Sequence, residues 1–286
     1  MSKFVNPFTD VGFKRIFGQE FSKPLLLDFL NTLLEGERHI VDLTFLDKEQ
    51  PSVYDGDRSL IYDIYCETVG GEHIIVEMQN REHPNFKERT LYYASESIAR
   101  QGERGSGWGY DVKAVYLIAF TNFPLPTCES EVRVDVGLTD LKSGRLFSDK
   151  MRFVYIQLPF FTKTADDCTN DFERWIYVLK NMETLNRMPW AAQNSVFQRL
   201  AEIGEVSSMS KEERIKYDYA LKKYRDTLAV MKGAELKGVE IGRAEGRAEG
   251  RAEERLSIAR RLKAAGTPLD FIVSNLNLTP EEIARL

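Results

Sequence analysis

Residues 60–79 have the sequence LIYDIYCETVGGEHIIVEMQ, and this stretch decides the fold. Before Gly70-Gly71 the side chains alternate between two faces, and after it Ile74-Ile75-Val76 form an apolar run rich in β-branched residues. Both patterns are typical of β-strands, and the paired glycines mark a turn between them. The stretch therefore predicts a central hairpin made of strands 59–69 and 73–79.

Two carboxylates fall inside this hairpin, where charge is costly. Glu77 interrupts the apolar run from Ile74 to Met78, and Asp63 has a similar place on the neighbouring strand. A buried carboxylate costs on the order of several kcal/mol unless it is paired or bound to a cation, and two facing carboxylates repel. A divalent ion between them would remove both costs, and such oxygen ligands suit Mg²⁺ or Mn²⁺. The spacing leaves open the alternative that both acids line an exposed sheet face or pair with cations such as Lys14 or Arg89.

The length of the turn determines whether the two carboxylates share a face of the sheet. A two-residue Gly70-Gly71 loop would place Asp63 opposite Met78 and turn Glu77 to the other side. A shared site therefore needs an odd-length loop or a bulge. We expect residue 63 to lie opposite 77 or 79, through a three-residue turn that contains both glycines.

The surrounding sequence predicts an α-β-β-β-α-β order of elements. Thr9 or Asp10 caps an N-terminal helix, and leucines at helical spacing continue as far as Leu34. The further expected elements are a strand at 40–49, a helix at Asn85–Arg100, a fully buried strand at Val112–Phe123, strands at Glu131–Val136 and Met151–Leu158, and a mainly helical region at 170–231.

This order, with Asp63 on the second strand and Glu77-Met78-Gln79 on the third, resembles the PD-(D/E)XK nuclease core. Three stretches further resemble the Rpn family of recombination-promoting nucleases and transposases: residues 6–18 (NPFTDVGFKRIFG), Val76–Gln79 and Arg89–Tyr93. Proteins of that family also end in Gly- and Glu-rich repeats, as this chain does. The resemblance implies an α/β fold, with a restriction-endonuclease-like mixed sheet flanked by helices and followed by a helical C-terminal region.

The resemblance also implies metal-dependent hydrolysis of DNA phosphodiester bonds. Asp63, Glu77 and the backbone carbonyl of Met78 would hold Mg²⁺, with Mn²⁺ as a possible substitute. Gln79 stands where the motif usually has lysine, and Tyr62 precedes Asp63 where the motif has proline. An amide can orient a water molecule, but it cannot act as a base or supply positive charge.

Lys14, Lys87 or Arg89 could supply the positive charge that Gln79 lacks. Arg89 and Tyr93 are four residues apart, which places them on one helix face beside the proposed metal site. The alternative is that Leu91, Tyr92 and Ala94 pack inward and leave Arg89 as a surface charge. The segment Lys211–Arg225 contains six basic and three acidic residues, which suits either phosphate contact or a solvated helix face.

The C-terminal region has an unusual repeat, GRAEGRAEGRAE, with glycine every four residues from Gly238 to Gly250. In a helix, its arginines would form one column and its glutamates another, so that like charges repel within the chain. The repeat is either a helix that associates with a second copy or a flexible linker. Beyond it, about 254–286 reads as three short helices, the last two beginning at Thr267-Pro268 and Thr279-Pro280; we favour protein interaction over DNA reading for this tail.

Composition narrows the classes of protein. The formal charge is 39 − 44 = −5 and 43% of the 286 residues are hydrophobic, which excludes global disorder and a strongly basic coat. The three cysteines lack CxxC spacing and are expected to be reduced and buried, and the three histidines lack metal-ligand spacing. No run approaches the ~18 apolar residues of a membrane span, so we expect a cytoplasmic protein with no membrane contact.

The sequence therefore predicts four regions: a nuclease core at 1–165, a helical extension at 166–232, the repeat at 233–254 and a small helical tail at 255–286. The expected function is a Mg²⁺-dependent DNA endonuclease in recombination, transposition-like mobility or defence against foreign DNA. The expected partners are DNA and further copies of the chain, bound through the repeat and tail. The alternative is a weak or inactive nuclease fold that serves as an oligomeric DNA-binding or regulatory scaffold.

Overall fold

The computed structural model describes residues 2–50, 60–102, 107–126, 130–279 and 282. The chain divides into two compact units, one ending at Lys222 and the other beginning at Lys223. The helices are α1 (Asp10–Phe17), α2 (Lys23–Leu33), α3 (Phe86–Ala99), α4 (Asp171–Asn181), α5 (Ser195–Gly204), α6 (Lys211–Ala264) and α7 (Leu269–Leu276). The strands are β1 (Leu43–Phe45), β2 (Glu49–Gln50), β3 (Leu60–Ile61), β4 (Ile64–Thr68), β5 (His73–Gln79), β6 (Val115–Thr121), β7 (Arg133–Thr139) and β8 (Leu146–Gln157).

A mixed six-stranded sheet forms the centre of the first unit, in the order β1-β4-β5-β6-β8-β7. The β5-β6 and β6-β8 pairs are parallel, whereas the remaining pairs of this sheet are antiparallel. Every residue of β6 is buried, as expected for a strand covered on both faces. The predicted mixed sheet flanked by helices is therefore confirmed.

Helices cover the two faces of this sheet. On one face, Phe86 and Ala94 of α3 pack in a cluster with Ile75, Leu117 and Phe153 of the strands. On the other face, the ring of Phe120 lies 5.9 Å from that of Phe13 and 5.3 Å from that of Phe29, which brings α1 and α2 onto the sheet. The hairpin of β4 and β5 thus has α3 on the face that Glu77 shares with Ile75.

The structure departs from the expected strands in three places. Instead of one strand at 40–49 there are β1 and β2, and β2 pairs with β3 in a separate two-stranded sheet. The strand predicted at 59–69 is interrupted at Tyr62-Asp63. β8 begins at Leu146 rather than Met151 because it pairs with β7 across an exposed turn, where Asp140 N donates to Arg145 O at 2.8 Å. The first residues of β8 are mostly exposed, and their sequence lacks the alternation of apolar and polar residues that predicts a strand.

The structure also bears on the predictions for the cysteines and for the C-terminal tail. Cys66 and Cys168 are free and buried, as predicted, while Cys128 lies outside the described residues. In the second unit α7 spans Leu269–Leu276, as predicted, and Ile272 packs in a small cluster with Ala259 and Leu278. The helix expected at Glu281–Arg285 falls outside the description except for Glu282, whose N–H is capped by Thr279 Oγ1 at 3.1 Å. The four-region division stays a prediction.

Gly238–Gly250 lie within α6, which continues without a break from Lys211 to Ala264. The first of the three short helices expected beyond about 254 is therefore wrong as a separate helix, because it is the end of α6. Within the described ranges, we find no helix that is both long enough and apolar enough to span a bilayer.

Candidate functional site

The hairpin register brings the two carboxylates together. Ile64 pairs with Val76 and Cys66 with Ile74, so that the next position aligns Asp63 with Glu77 on one face. Residues 69–71 form a three-residue turn in which Thr68 N donates to Glu72 O and Gly71 N to Thr68 O, each at 2.9 Å. The predicted register and turn length are therefore confirmed.

The backbone leaves the regular ladder at these carboxylates. An antiparallel ladder would continue with hydrogen bonds exchanged between Tyr62 and Met78. Instead, Tyr62 N donates to Lys48 O at 2.9 Å and Met78 N donates to Asp63 Oδ2 at 2.8 Å. Asp63 N points at Glu77 Oε1, 3.3 Å away. These contacts explain the interruption of the strand, and they take away the ladder partner of the Met78 carbonyl.

The remaining oxygen atoms make a donor set that suits a hard cation. Each carboxyl uses one oxygen to accept a backbone N–H, and within the part of the chain that the structure describes its second oxygen accepts no hydrogen bond. Two carboxylates with a nearby backbone carbonyl are ligands that Mg²⁺ and Mn²⁺ accept, with water completing the shell. Among the described residues, no group of three His, Cys, Asp or Glu side chains could hold a metal ion. The site thus fits an ion held by few protein ligands.

Burial raises the pKa of both carboxyls. Glu77 is buried, and its pKa rises to about 8, first because of burial and second because of the neighbouring Asp63 charge. Burial also raises the pKa of Asp63, against the opposing effects of the Met78 N–H and the Lys14 charge. The pair therefore resists carrying two negative charges in the absence of a compensating cation.

Arg89 and Tyr93 project from α3 toward this pair. Arg89 Nη2 donates to Gln79 Oε1 at 2.7 Å, and its charge acts on Asp63, Glu77 and Tyr93. Burial, followed by the Glu77 charge, raises the pKa of the Tyr93 hydroxyl, which donates to Ile61 O at 3.5 Å. Arg89 Nε is buried and lacks a partner among the described residues.

The inward packing considered for Leu91 and Tyr92 is wrong, whereas that for Ala94 is correct. Leu91 and Tyr92 are about half exposed, while Ala94 is buried. The reason is that Phe86, Thr90, Ala94 and Ser97 form the buried face of α3. This leaves Arg89 and Tyr93 at the edge of that face, beside the carboxylates.

The two candidate lysines differ in position. Lys14 in α1 is ion-paired with Asp10, and its charge lowers the pKa of Asp63 and Glu77 against the effect of burial. Lys87 lines a separate cavity with Glu82, Phe86 and Leu125.

Two residues near the pair were missed by the sequence reasoning. The Asp10 charge raises the pKa of Asp63 further, and Lys48 fixes Tyr62 through its backbone. The i,i+4 spacing of Asp10 and Lys14 was a usable signal. No local pattern points to Lys48.

A family model described as PD-(D/E)XK nuclease family transposase matches residues 7–234. The match includes α1, the hairpin with Asp63 and Glu77, and α3. The comparisons with curated proteins and with solved structures gave no match.

Proposed function

Since the chain belongs to the family of PD-(D/E)XK nuclease transposases, we propose that it is a metal-dependent DNA endonuclease with its ion between Asp63 and Glu77. The observation that carries the proposal is the convergence of these two carboxyls, opposite each other in the hairpin and both with a raised pKa. Mg²⁺ is the expected ion, with Mn²⁺ as a substitute, because the donors are all oxygen.

Each residue around the proposed metal site has a distinct role. Asp63, Glu77 and the Met78 carbonyl would hold the ion, and one oxygen of each carboxyl is already fixed by a backbone N–H. The bound ion would lower the pKa of a water molecule and offset charge on the phosphoryl oxygens. Gln79, whose amide accepts from Arg89 and donates to Arg81 O, would orient water with its remaining N–H and lone pair, and Arg89 would supply the positive charge that the motif's lysine otherwise provides. Tyr93 packs against Tyr62 with ring centroids 5.1 Å apart and so fixes α3 beside the hairpin.

A second function is favoured by one observation, the glutamine at position 79. Arg89 already donates to Gln79, and this hydrogen bond restrains its guanidinium from contacting a phosphate. Under this alternative the chain binds DNA as an oligomeric scaffold and cuts it slowly or not at all. For either function, the proposed context is recombination, transposition-like mobility or defence against foreign DNA, and the proposed contacts between copies are the repeat and tail of α6 and α7.

Plasmid cleavage by the full chain, with Mg²⁺, with Mn²⁺ and without divalent metal, tests the proposal. Asp63→Asn and Glu77→Gln should each lower the cleavage rate about 100-fold or more, because metal stabilisation of the transition state is worth several kcal/mol. Glu67→Gln is the matched control, since it removes a carboxylate from the same hairpin outside the pair. Parental rates for Asp63→Asn in saturating metal would reject the site. A parent that binds DNA without cutting it would favour the scaffold.

A further inference from the structure

A positively lined cavity includes Lys14, whose charge also acts on the carboxylate pair. Its volume is about 420 Å³, and three lysines from different parts of the chain line it, namely Lys14 of α1, Lys48 between β1 and β2, and Lys216 of α6. All of these residues belong to the first unit. We name this cavity the lysine groove.

The charge of the lysine groove is opposite to that of the whole chain. Its lining contains four basic residues, the three lysines and Arg15, and two acidic residues, Asp10 and Glu213, so that 4 − 2 leaves +2. The chain as a whole has −5. Three other cavities of the described residues have lining charges of −1, 0 and −1 by the same count. A polyanion would therefore find its local attraction here.

Two lysines connect the lysine groove to the carboxylate pair. The charge of Lys14 acts on both Asp63 and Glu77, so its ammonium lies within electrostatic reach of the pair. The backbone carbonyl of Lys48 accepts the N–H of Tyr62, the residue before Asp63. The groove therefore shares two residues with the surroundings of the metal ligands, which brings it within reach of a DNA backbone bound at those ligands.

The groove's cations differ in how firmly they are held. Arg15 is only 11% exposed and is fixed by Ile203 O at 2.7 Å and Glu213 Oε1 at 2.8 Å, so it builds the wall. The Lys216 side chain is 66% exposed, and among the described residues it forms an ion pair only with the exposed Glu212. An exposed pair of this kind contributes little to stability and exchanges readily for a phosphate. Lys48 is exposed and makes no ion pair within the described part of the chain.

We propose that the lysine groove binds the sugar–phosphate backbone of duplex DNA on one side of the bond to be cut, through Lys48 and Lys216. The proposal rests on the function proposed above and adds where its substrate lies. Lysine ammonium groups contact phosphates as point charges, so this contact positions DNA without reading its sequence. Lys14 is left out of the test because its charge also acts on the metal ligands.

Binding of a fluorescently labelled duplex to the full chain, without divalent metal and over a range of salt, tests the groove. Lys48→Gln and Lys216→Gln should each weaken binding roughly 5- to 10-fold near 0.1 M salt and reduce the slope of log K against log salt by about 0.9. The double variant should show both losses for two unrelated duplex sequences. Lys142→Gln, which removes the same charge from the exposed β7–β8 turn, should bind as the parent does.

The outcomes separate this proposal from the proposed function. If the double variant binds like the parent, or the parent does not bind duplex DNA at low salt, the groove is rejected. Asp63→Asn should keep the parental salt slope while losing cleavage. If instead Asp63→Asn cleaves normally while the double variant loses binding, the groove stands and the catalytic site is wrong. Equal losses for Lys142→Gln would assign the effect to net charge and reject the groove.

Discussion

Glu77 makes the stability of the metal-free chain depend on pH. Its pKa is about 8 in the folded chain and near the ordinary 4.5 when unfolded. Between these values the folded chain holds a proton that the unfolded chain has released, so the free energy of unfolding falls as pH rises. We expect the free energy of unfolding to fall by a few kcal/mol, in order of magnitude, from pH 4.5 to 8. The raised pKa of Asp63 acts in the same direction. Urea unfolding at a series of pH values in EDTA measures it.

Urea unfolding in the presence of Mg²⁺ is the control for this experiment. Mg²⁺ requires the ionised carboxylates, so saturating Mg²⁺ should restore stability at pH 8 and have little effect at pH 5. Glu77→Gln should flatten most of the pH dependence and abolish the metal effect. A parent whose stability is independent of pH over this range in EDTA would show that the Glu77 charge is compensated by protein groups such as Arg89 and does not need a metal ion.

Arg89 is expected to replace the missing lysine of the motif. Arg89→Gln should lower DNA cleavage about 10- to 100-fold, because a hydrogen bond to a charged group contributes about 1.5–3 kcal/mol. Adding Gln79→Lys to that variant should recover part of the rate, since an ammonium then occupies the motif position. Arg81→Gln, which removes a nearby exposed arginine, is the control. No recovery in the double variant would place the required charge elsewhere, with Lys14 as the next candidate.

At the scale of elements, the turn between β4 and β5 aligns the two carboxylates. Gly71 has φ +83°, and an added Cβ would lie 3.2 Å from Lys113 Cγ. Gly71→Ala should lower the free energy of unfolding by about 1–2 kcal/mol, the cost of a left-handed backbone for a residue with Cβ. Because this turn sets the register, Mg²⁺ affinity measured by calorimetry should fall as well.

Gly144→Ala is the matched control for that prediction. Gly144 has φ +68° with open space around it, and it lies in the exposed β7–β8 turn. Gly144→Ala should lower the free energy of unfolding by a similar amount but leave Mg²⁺ affinity unchanged. If both variants weaken metal binding equally, the loss follows global stability rather than the register of the hairpin.

The hairpin also shows how far sequence reasoning extends. The three-residue turn follows from the need to place Asp63 and Glu77 on one face, and the structure confirms it. The break at Tyr62-Asp63 could not be predicted from periodicity, because it arises when Lys48 O and the carboxylates replace the ladder partners. The alternation of polar and apolar residues indicates which face of the sheet a residue occupies. It does not indicate where a side chain replaces a backbone hydrogen bond of the ladder.

For the whole molecule, local sequence patterns predict the elements but not the contacts between residues that are distant in the chain. The order of elements and the mixed sheet follow from local patterns and a family resemblance. The lysine groove combines Lys14, Lys48 and Lys216 from distant parts of the chain, and no spacing rule connects them. Glycine's low helix propensity argues against an isolated helix at Gly238–Gly250, yet α6 runs through this segment.

The uninterrupted α6 gives the repeat a testable role in assembly. No described atom lies within 4 Å of a Cβ added at Gly238, Gly242, Gly246 or Gly250, so this side of the helix is open. Arg243, Arg247, Arg251 and Arg255 form one column and Glu245, Glu249 and Glu253 another, and the described residues show no ion pair between the columns. A second copy could approach closely at the glycines and pair the arginine column with a glutamate column.

We therefore expect the full chain to exceed its monomer mass of 32.9 kDa in light scattering at micromolar concentration, whereas a chain ending at Met231 should be monomeric. Exposed ion pairs contribute about 0–1 kcal/mol each, so association should weaken with salt. Arg247→Glu with Arg251→Glu should dissociate the assembly. Lys142→Glu with Lys150→Glu, the same change of charge on the first unit, should not. Equal monomer masses for the full and shortened chains would reject self-association, and salt-resistant association would assign it to the apolar residues of 256–278 instead.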